Sequence, residues 1–157
     1  MPKSKANKNN TNLITVNDCL TTDQFLILYS EEFPNLESEI YDEGCRDLIY
    51  VQIGLLSNYI NECIKEGAIK EVRRAFIFFE RIVNRVNSEV ENAFYVSFLE
   101  HIKMGGDSEN AVASRKLLNP KYLEIWRGLN ELMFPDKIAG TKKKKSPDKS
   151  TRIKIKR

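Results

Sequence analysis

The chain has 157 residues, of which 41% are hydrophobic and 10% aromatic, enough apolar surface for one folded domain. This composition excludes a chain that is disordered throughout, and no apolar run approaches the roughly 20 residues that a membrane-spanning helix needs. Lys and Arg number 25 against 22 Asp and Glu, a net charge of +3. The first residues are rich in Lys and Asn with no apolar stretch behind them, so we expect no secretory signal and a cytoplasmic location.

The positive charge is confined to the two ends of the chain. Residues 135–157 carry 10 Lys and Arg and 2 Asp, net +8, and residues 1–11 carry 3 Lys. Residues 12–134 hold 12 basic and 20 acidic side chains, net −8. We therefore predict a disordered N-terminal segment over 1–12, a helical domain over 13–134 and a disordered basic tail over 135–157.

The first helix is predicted to begin at Thr21 or Thr22 and to end before Pro34. Thr21 and Gln24 have the spacing of a capping box, in which each side chain satisfies a backbone N–H at the helix start. The apolar residues that follow recur at helical spacing: Phe25, Leu28 and Tyr29. Pro34 ends the helix because it cannot donate the next hydrogen bond.

Two long helices are predicted in the middle of the chain, over residues 47–66 and 68–86. The first has an apolar stripe at steps of three and four, formed by Ile49, Ile53, Leu56, Ile60 and Cys63 or Ile64. Four further apolar residues widen this stripe, so we expect burial on more than one side: Leu48, Val51, Leu55 and Tyr59. Gly67 suits the left-handed position after the helix end. The second helix repeats Ile69, Val72, Phe76, Phe79, Val83 and Val86, and its other face carries Lys70, Arg73, Arg74, Arg81 and Arg85.

Three further helices are predicted in the last part of the domain. Ser88 and Glu91 form a second capping-box pattern, which opens a helix that runs to Met104 and ends at Gly105-Gly106. Its buried face is formed by Val90, Phe94, Phe98 and Ile102. A short helix follows over 107–117, and Asn119-Pro120 starts the last one, with Trp126 in the core and Pro135 at its end. Strand-like alternation of useful length is absent from the sequence, and the short loops favour helical hairpins. We predict an all-α fold, a single compact domain of five to seven helices.

Residue types that carry out catalysis are sparse and scattered. His101 is the only histidine, and its neighbour Glu100 points elsewhere on a helix. The three cysteines are widely spaced without a CxxC motif, which indicates free thiols rather than a zinc site: Cys19, Cys45 and Cys63. We therefore predict a protein that is not an enzyme and that holds neither metal nor cofactor. An enzyme would need carboxylates such as Glu62 and Glu100 to converge in a buried pocket.

An acidic segment links the first helix to the central one. It has seven carboxylates in seventeen residues, offset locally by Arg46 alone: Glu31, Glu32, Glu37, Glu39, Asp42, Glu43 and Asp47. These side chains form either an ordinary solvated surface or a docking surface for a cationic partner. A docking surface of this kind would act mainly on association rate and specificity.

The basic tail has open interpretations as well. The run Lys142 to Lys145 and the later Lys and Arg residues provide charge without interleaved aromatic side chains. Such a tail could contact RNA, DNA or an acidic partner through charge, or serve as a solubilising extension.

Several stretches of the domain resemble a family of small uncharacterised all-helical bacterial domains. They are Ile49-Tyr50-Val51-Gln52-Ile53-Gly54, Tyr59-Ile60-Asn61-Glu62-Cys63, Glu66-Gly67, Phe79-Glu80-Arg81-Ile82, Val90-Glu91-Asn92-Ala93, Phe98-Leu99-Glu100-His101, Leu118-Asn119-Pro120 and Trp126. The resemblance spans residues 25–134, and it contains no catalytic set. Ser97 departs from the family pattern, which has glycine before the Phe-Leu-Glu element, and the basic tail lies outside the pattern.

The resemblance implies a role in immunity, because members look like proteins encoded beside polymorphic or contact-dependent toxins. We therefore expect an immunity-type protein that binds a cognate toxin domain, a nuclease in our interpretation, and blocks its active site or substrate groove. The acidic body suits a basic nuclease groove. The alternative is a nucleic-acid-associated accessory protein that works through the basic tail.

Overall fold

The computed structural model describes residues 19–133, which form seven α-helices with no strand among them. The helices are α1 (Thr22–Glu32), α2 (Glu37–Ile40), α3 (Ile49–Glu66), α4 (Ile69–Ile82), α5 (Ser88–Ala93), α6 (Glu109–Leu117) and α7 (Pro120–Met133). The prediction of a single all-α domain of five to seven helices is confirmed for this part of the chain. The predicted segments 1–12 and 135–157, and the helix end at Pro135, lie outside the described residues.

Three predicted helix boundaries are confirmed by their hydrogen bonds. At the start of α1, the Gln24 N–H donates to Thr21 Oγ1 at 3.1 Å and the Thr21 N–H donates to Gln24 Oε1 at 2.9 Å. Gly67 ends α3 in the left-handed region, at φ +76°. Asn119 precedes α7, and its Oδ1 accepts a hydrogen bond from the Lys121 N–H at 2.9 Å. Local sequence therefore fixes where these helices begin and end.

The helix predicted from Ser88 to Met104 differs from the prediction at both ends. Its cap is Asn87, whose Oδ1 accepts from the Val90 N–H at 3.0 Å, so the predicted cap residue Ser88 is already the first helical residue. After α5 the chain continues through a π-helical turn (Phe94–Phe98) and a 3-10 turn (Leu99–His101), and then leaves the helix. The backbone carbonyls that follow accept hydrogen bonds from side chains distant in sequence. Trp126 Nε1 donates to Ile102 O at 2.8 Å, and the Arg115 guanidinium donates to Met104 O.

Two adjacent phenylalanines of α4 organise the core. The ring of Phe78 contacts the three aromatic rings of the first part of the domain: Phe25, Tyr29 and Phe33. The ring of Phe79 contacts four rings of the later helices: Phe94, Tyr95, Phe98 and Tyr122. Both side chains are almost completely buried. Because neighbouring residues on a helix point about 100° apart, α4 joins two halves of one aromatic core.

Helices α1 and α4 run side by side in opposite directions. At one end, the Leu20 N–H donates to Arg85 O at 2.7 Å, in the 3-10 turn (Val83–Arg85) that follows α4. At the other end, Arg74 contacts the carboxylate of Glu32 at 3.3 Å. The 3-10 turn Pro34–Leu36 then leads from α1 into α2.

Replacing Phe79 by alanine tests the central role of α4. We expect Phe79→Ala to lower the free energy of unfolding by about 3–5 kcal/mol, because it leaves a cavity between four rings. The matched control is Ile77→Ala on the same helix, where the side chain is half exposed and the change should stay within about 0.5 kcal/mol. Chemical denaturation followed by circular dichroism measures both. Equal effects of the two substitutions would contradict this account of the core.

Candidate protein-binding surface

The acidic segment is anchored to the core by three apolar side chains, Phe33, Leu36 and Ile40. They are spaced three and four residues apart, and each is buried. Pro34 starts the 3-10 turn that carries Leu36 inward, and α2 carries Ile40. Because these positions point into the core, the polar residues between them face outward.

Gln52 of α3 holds this segment in place from below. The side-chain Nε2 of Gln52 donates to the backbone carbonyl of Ile40, at the end of α2, at 2.8 Å. The backbone carbonyl of Gln52 accepts from the Tyr29 hydroxyl of α1 at 2.7 Å. Burial raises the pKa of Tyr29 far above its usual range, so this hydroxyl remains a donor. Sequence analysis missed Gln52. The available signal was a polar residue inside an otherwise apolar arc of the helix.

Six of the seven predicted docking carboxylates are exposed: Glu31, Glu37, Glu39, Asp42, Glu43 and Asp47. Glu32 differs, because its half-buried carboxylate lies 3.3 Å from Arg74 and 3.9 Å from Arg81. Its negative charge is therefore used within the chain. The other six lie at the exposed positions of the end of α1, of α2 and of the turn before α3.

Three apolar side chains next to the acidic segment are exposed. For two of them, Leu48 and Val51, the prediction of burial is wrong. The widened stripe of the central helix predicted that Leu48 and Val51 are buried, but they are 49% and 47% exposed. Tyr41, at the end of α2, is 45% exposed. The stripe widens at its first turn without a neighbouring element to cover it. We define the docking surface as the six exposed carboxylates together with Tyr41, Leu48 and Val51.

The turn between α2 and α3 is ordered by its own hydrogen bonds. Asp42 Oδ2 accepts from the Gly44 N–H at 2.8 Å, and Asp42 O accepts from the Cys45 N–H at 2.9 Å. The Leu48 N–H then donates to Cys45 O at 3.0 Å. Asp47 has a positive φ of 62°, which a non-glycine residue adopts at a cost. The docking surface is therefore preformed, so little ordering entropy would be lost on binding.

A polar network beside the docking surface joins α1, α3 and α4. The Arg74 guanidinium donates to the Glu32 carbonyl and, at 2.8 Å, to the Glu71 carboxylate. The same carboxylate accepts from the Tyr59 hydroxyl at 2.9 Å, and Arg74 lies 4.7 Å from the centre of the Phe33 ring. Hydrogen bonds from Arg74 and Tyr59 lower the pKa of Glu71. This network fixes the end of α1 and hence the start of the acidic segment.

The residues considered for catalysis are exposed or partly exposed, so they do not meet in a buried pocket. His101 is exposed, and its carbonyl accepts from Asn61 Nδ2 at 2.9 Å. Glu62 lines an open cavity of about 410 Å³ and pairs with Lys65 at 3.4 Å, whereas Glu100 is not among the lining residues. Structural hydrogen bonds also occupy the amide of Asn61 at this cavity, since its Oδ1 accepts from the Lys103 N–H at 2.8 Å.

The residue types that bind metals or react as thiols are dispersed in the described part of the chain. Among residues 19–133, no group of three or more His, Cys, Asp or Glu side chains could hold a metal ion. The three cysteines are free thiols, with Cys19 exposed, Cys45 half-buried and Cys63 buried. Burial raises the pKa of the Cys63 thiol, which disfavours the reactive thiolate. None of the helices in this range is long and apolar enough to cross a membrane.

These features define an all-α domain with a preformed acidic and apolar surface. The chain belongs to the family described as Domain of unknown function (DUF7674), whose model matches residues 27–133. The resemblance to an uncharacterised family is thereby confirmed. Comparisons with curated proteins and with solved structures give no match.

The lowered pKa of Glu71 predicts a dependence of stability on pH. A carboxylate whose pKa is lower in the folded state stabilises the protein above its unfolded pKa, and this stabilisation is lost as pH falls through the folded value. We expect Glu71→Gln to reduce stability near neutral pH and to flatten the loss of stability below about pH 4. The control is Glu124→Gln, an exposed carboxylate of α7. Urea unfolding across a pH series measures both slopes, and identical acid slopes for Glu71→Gln and the unmodified chain would reject the role of the network.

Proposed function

We propose that this protein binds a cationic partner protein through the docking surface. The observation that carries this proposal is that the segment from Glu31 to Val51 exposes six carboxylates together with Tyr41, Leu48 and Val51. Protein interfaces commonly have an apolar centre and a polar rim. Single exposed apolar residues are ordinary, but three in one acidic region favour a binding site over a merely solvated surface.

In its specific form, the proposal is an immunity-type protein that neutralises a bacterial toxin domain. A nuclease groove carries cationic side chains because it binds phosphates. A preformed acidic surface is complementary to such a groove and would block it. This form also draws on the resemblance to domains encoded beside polymorphic toxins. Co-expression with toxin domains encoded next to the gene is the direct test, and failure to bind or protect against any of them would contradict it.

The two kinds of side chain in the docking surface have different roles in this proposal. The exposed carboxylates accelerate the encounter with a basic partner, and this effect weakens as salt screens them. The apolar residues become buried in the complex and slow its dissociation, since they are desolvated only when the partner is seated. Association and dissociation rates therefore report on the two groups separately.

Charge reversal of the rim tests the first role. We expect the combined change of Glu37, Glu39, Asp42 and Glu43 to Lys to slow association with a basic partner by about tenfold or more at low salt. The control reverses four exposed carboxylates elsewhere and so changes the net charge equally: Glu66, Glu89, Glu124 and Glu131. Stopped-flow or surface-based kinetics at several salt concentrations measure the rates. Equal slowing in both variants would show a general charge effect and would contradict a localised surface.

Replacing the apolar centre tests the second role. We expect Leu48→Ser combined with Val51→Ser to raise the dissociation rate by about tenfold or more while changing the association rate little. Helix content should be unchanged because both side chains are half exposed. The matched control is Ile77→Ser, a side chain of equal exposure on α4. An unchanged dissociation rate in the double variant would remove these residues from the interface.

The alternative function, nucleic-acid binding through the basic tail, is supported by the net charge of +8 on residues 135–157. Deletion of residues 141–157 separates the two proposals. Association with a basic partner protein should stay the same or become faster, since the tail repels such a partner. Loss of RNA or DNA retention at low salt on the same deletion would favour the alternative, and loss of protein binding would contradict the docking surface as the principal site.

A further inference from the structure

Helices α1 and α4 each carry an exposed stripe with a central isoleucine and charges of one sign on either side. The stripes have the same four-residue intervals: Asp23, Ile27 and Glu31 on α1, and Arg73, Ile77 and Arg81 on α4. All six side chains are exposed, and the two isoleucines are the most exposed large apolar residues in the described part of the chain, at 52% and 50%. Each stripe spans about 12 Å, because eight residues of helix rise 1.5 Å each.

The stripes lie side by side at the same level on the surface. The antiparallel register of the two helices is fixed by the Leu20–Arg85 hydrogen bond at one end and by the Glu32–Arg74 contact at the other. Between these points, the rings of Phe25, Tyr29 and Phe33 lie 6.3, 6.3 and 5.5 Å from the ring of Phe78. The part of α1 that contains Ile27 therefore lies within about one helical turn of the level of Ile77 and Phe78. Both stripes lie on the helix faces opposite the core.

The charges of the stripes are largely unused within the chain. Among the ion pairs of residues 19–133, none involves Asp23, Glu31 or Arg73, whereas Arg81 pairs with Glu32 at 3.9 Å, a carboxylate that Arg74 also contacts. The seam between the helices is filled by Arg74 and Glu32. Three of the four stripe charges therefore lack an ion-pair partner in this part of the chain, and the acidic stripe does not neutralise the basic one.

We propose that this face forms a symmetric dimer with a second copy of the chain. The two copies place this face against each other and are related by a two-fold axis that runs parallel to the helices, between the two faces. This rotation puts α1 of one copy on α4 of the other. It does not change the position of any residue along the helix direction. Ile27 then packs on Ile77 of the second copy. Because the paired helices are antiparallel, Asp23 lies opposite Arg81, and Glu31 lies opposite Arg73.

The two-fold symmetry repeats every contact, so one complementary pair of stripes gives two isoleucine contacts and four ion pairs. The face is small: helices of 11 and 14 residues cover about 20 by 20 Å. This is below the roughly 800 Å² that each partner contributes to a standard interface. The dimer is therefore a weak one, and its population rises with protein concentration.

The dimer face is distinct from the docking surface. The two share only Glu31, and Tyr41, Leu48 and Val51 belong to the docking surface alone. The proposed dimer does not depend on the proposed function. The variant with Glu37, Glu39, Asp42 and Glu43 reversed should keep the dimer, and the stripe variants can be tested without any toxin.

Complementary charge variants of the full chain test the pairing. The first carries Arg73→Glu and Arg81→Glu, which makes both stripes acidic, and the second carries Asp23→Lys and Glu31→Lys, which makes both basic. Sedimentation velocity over a series from micromolar to near-millimolar protein should show a monomer–dimer equilibrium for the unmodified chain. Each variant alone should be monomeric, and an equimolar mixture of the two should form a heterodimer, because every facing pair then has opposite charges.

Controls separate the pairing from general charge effects and from unfolding. Lys116→Glu with Arg127→Glu changes two exposed basic residues outside the face and should leave the dimer intact. Ile77→Asp should weaken the dimer by about tenfold or more, since it places a carboxylate opposite an apolar side chain in both contacts. Circular dichroism checks that each variant is folded. An unmodified chain that stays monomeric throughout, dimers that survive in the single-sign variants, or a mixture that fails to pair would overturn the proposal.

Discussion

The division of aromatic contacts between Phe78 and Phe79 is the constraint on which the rest of the domain depends. The ring of Phe78 contacts aromatic rings of α1 and the ring of Phe33, which follows α1. The ring of Phe79 contacts aromatic rings of the π-helical turn and of α7. Aromatic contacts of this kind add to the free energy of simple burial. Because both side chains belong to one helix, the early and late parts of the chain form one core.

That arrangement of α4 determines which surfaces remain open. Its buried face is apolar, and its opposite face carries basic side chains around Ile77. On one side, Arg74 reaches Glu32 and Glu71 and so fixes the end of α1. The acidic segment then leaves α1 at a defined point, with Phe33, Leu36 and Ile40 turned inward and its carboxylates turned outward.

The segregation of charge in the sequence has a structural counterpart. The exposed acidic residues are concentrated between α1 and α3, next to exposed apolar side chains in the sequence, whereas α4 carries exposed basic residues. A protein with this distribution has two chemically different surfaces. We propose the first for a cationic partner, and the second for a second copy of the chain, because it holds both signs of charge at matching intervals.

The all-α class and several helix ends could be predicted from the sequence, because caps and helical periodicity are local. Thr21 with Gln24, Gly67 and Asn119 with Pro120 act where they were predicted. The helix cap is Asn87 and not the predicted Ser88. The helical turns that follow end at His101, because Trp126 and Arg115 bind the next backbone carbonyls. Those partners are distant in sequence, so periodicity could not reveal them.

The candidate site divides in the same way. The acidic segment was visible as composition, and its register on Leu36 and Ile40 follows from spacing. Three features depend on contacts between distant parts of the chain: Glu32 is paired within the chain, Gln52 anchors α2, and Val51 is left exposed. An apolar periodicity shows which residues share a helix face, but whether a neighbour covers that face depends on where the other helices pack.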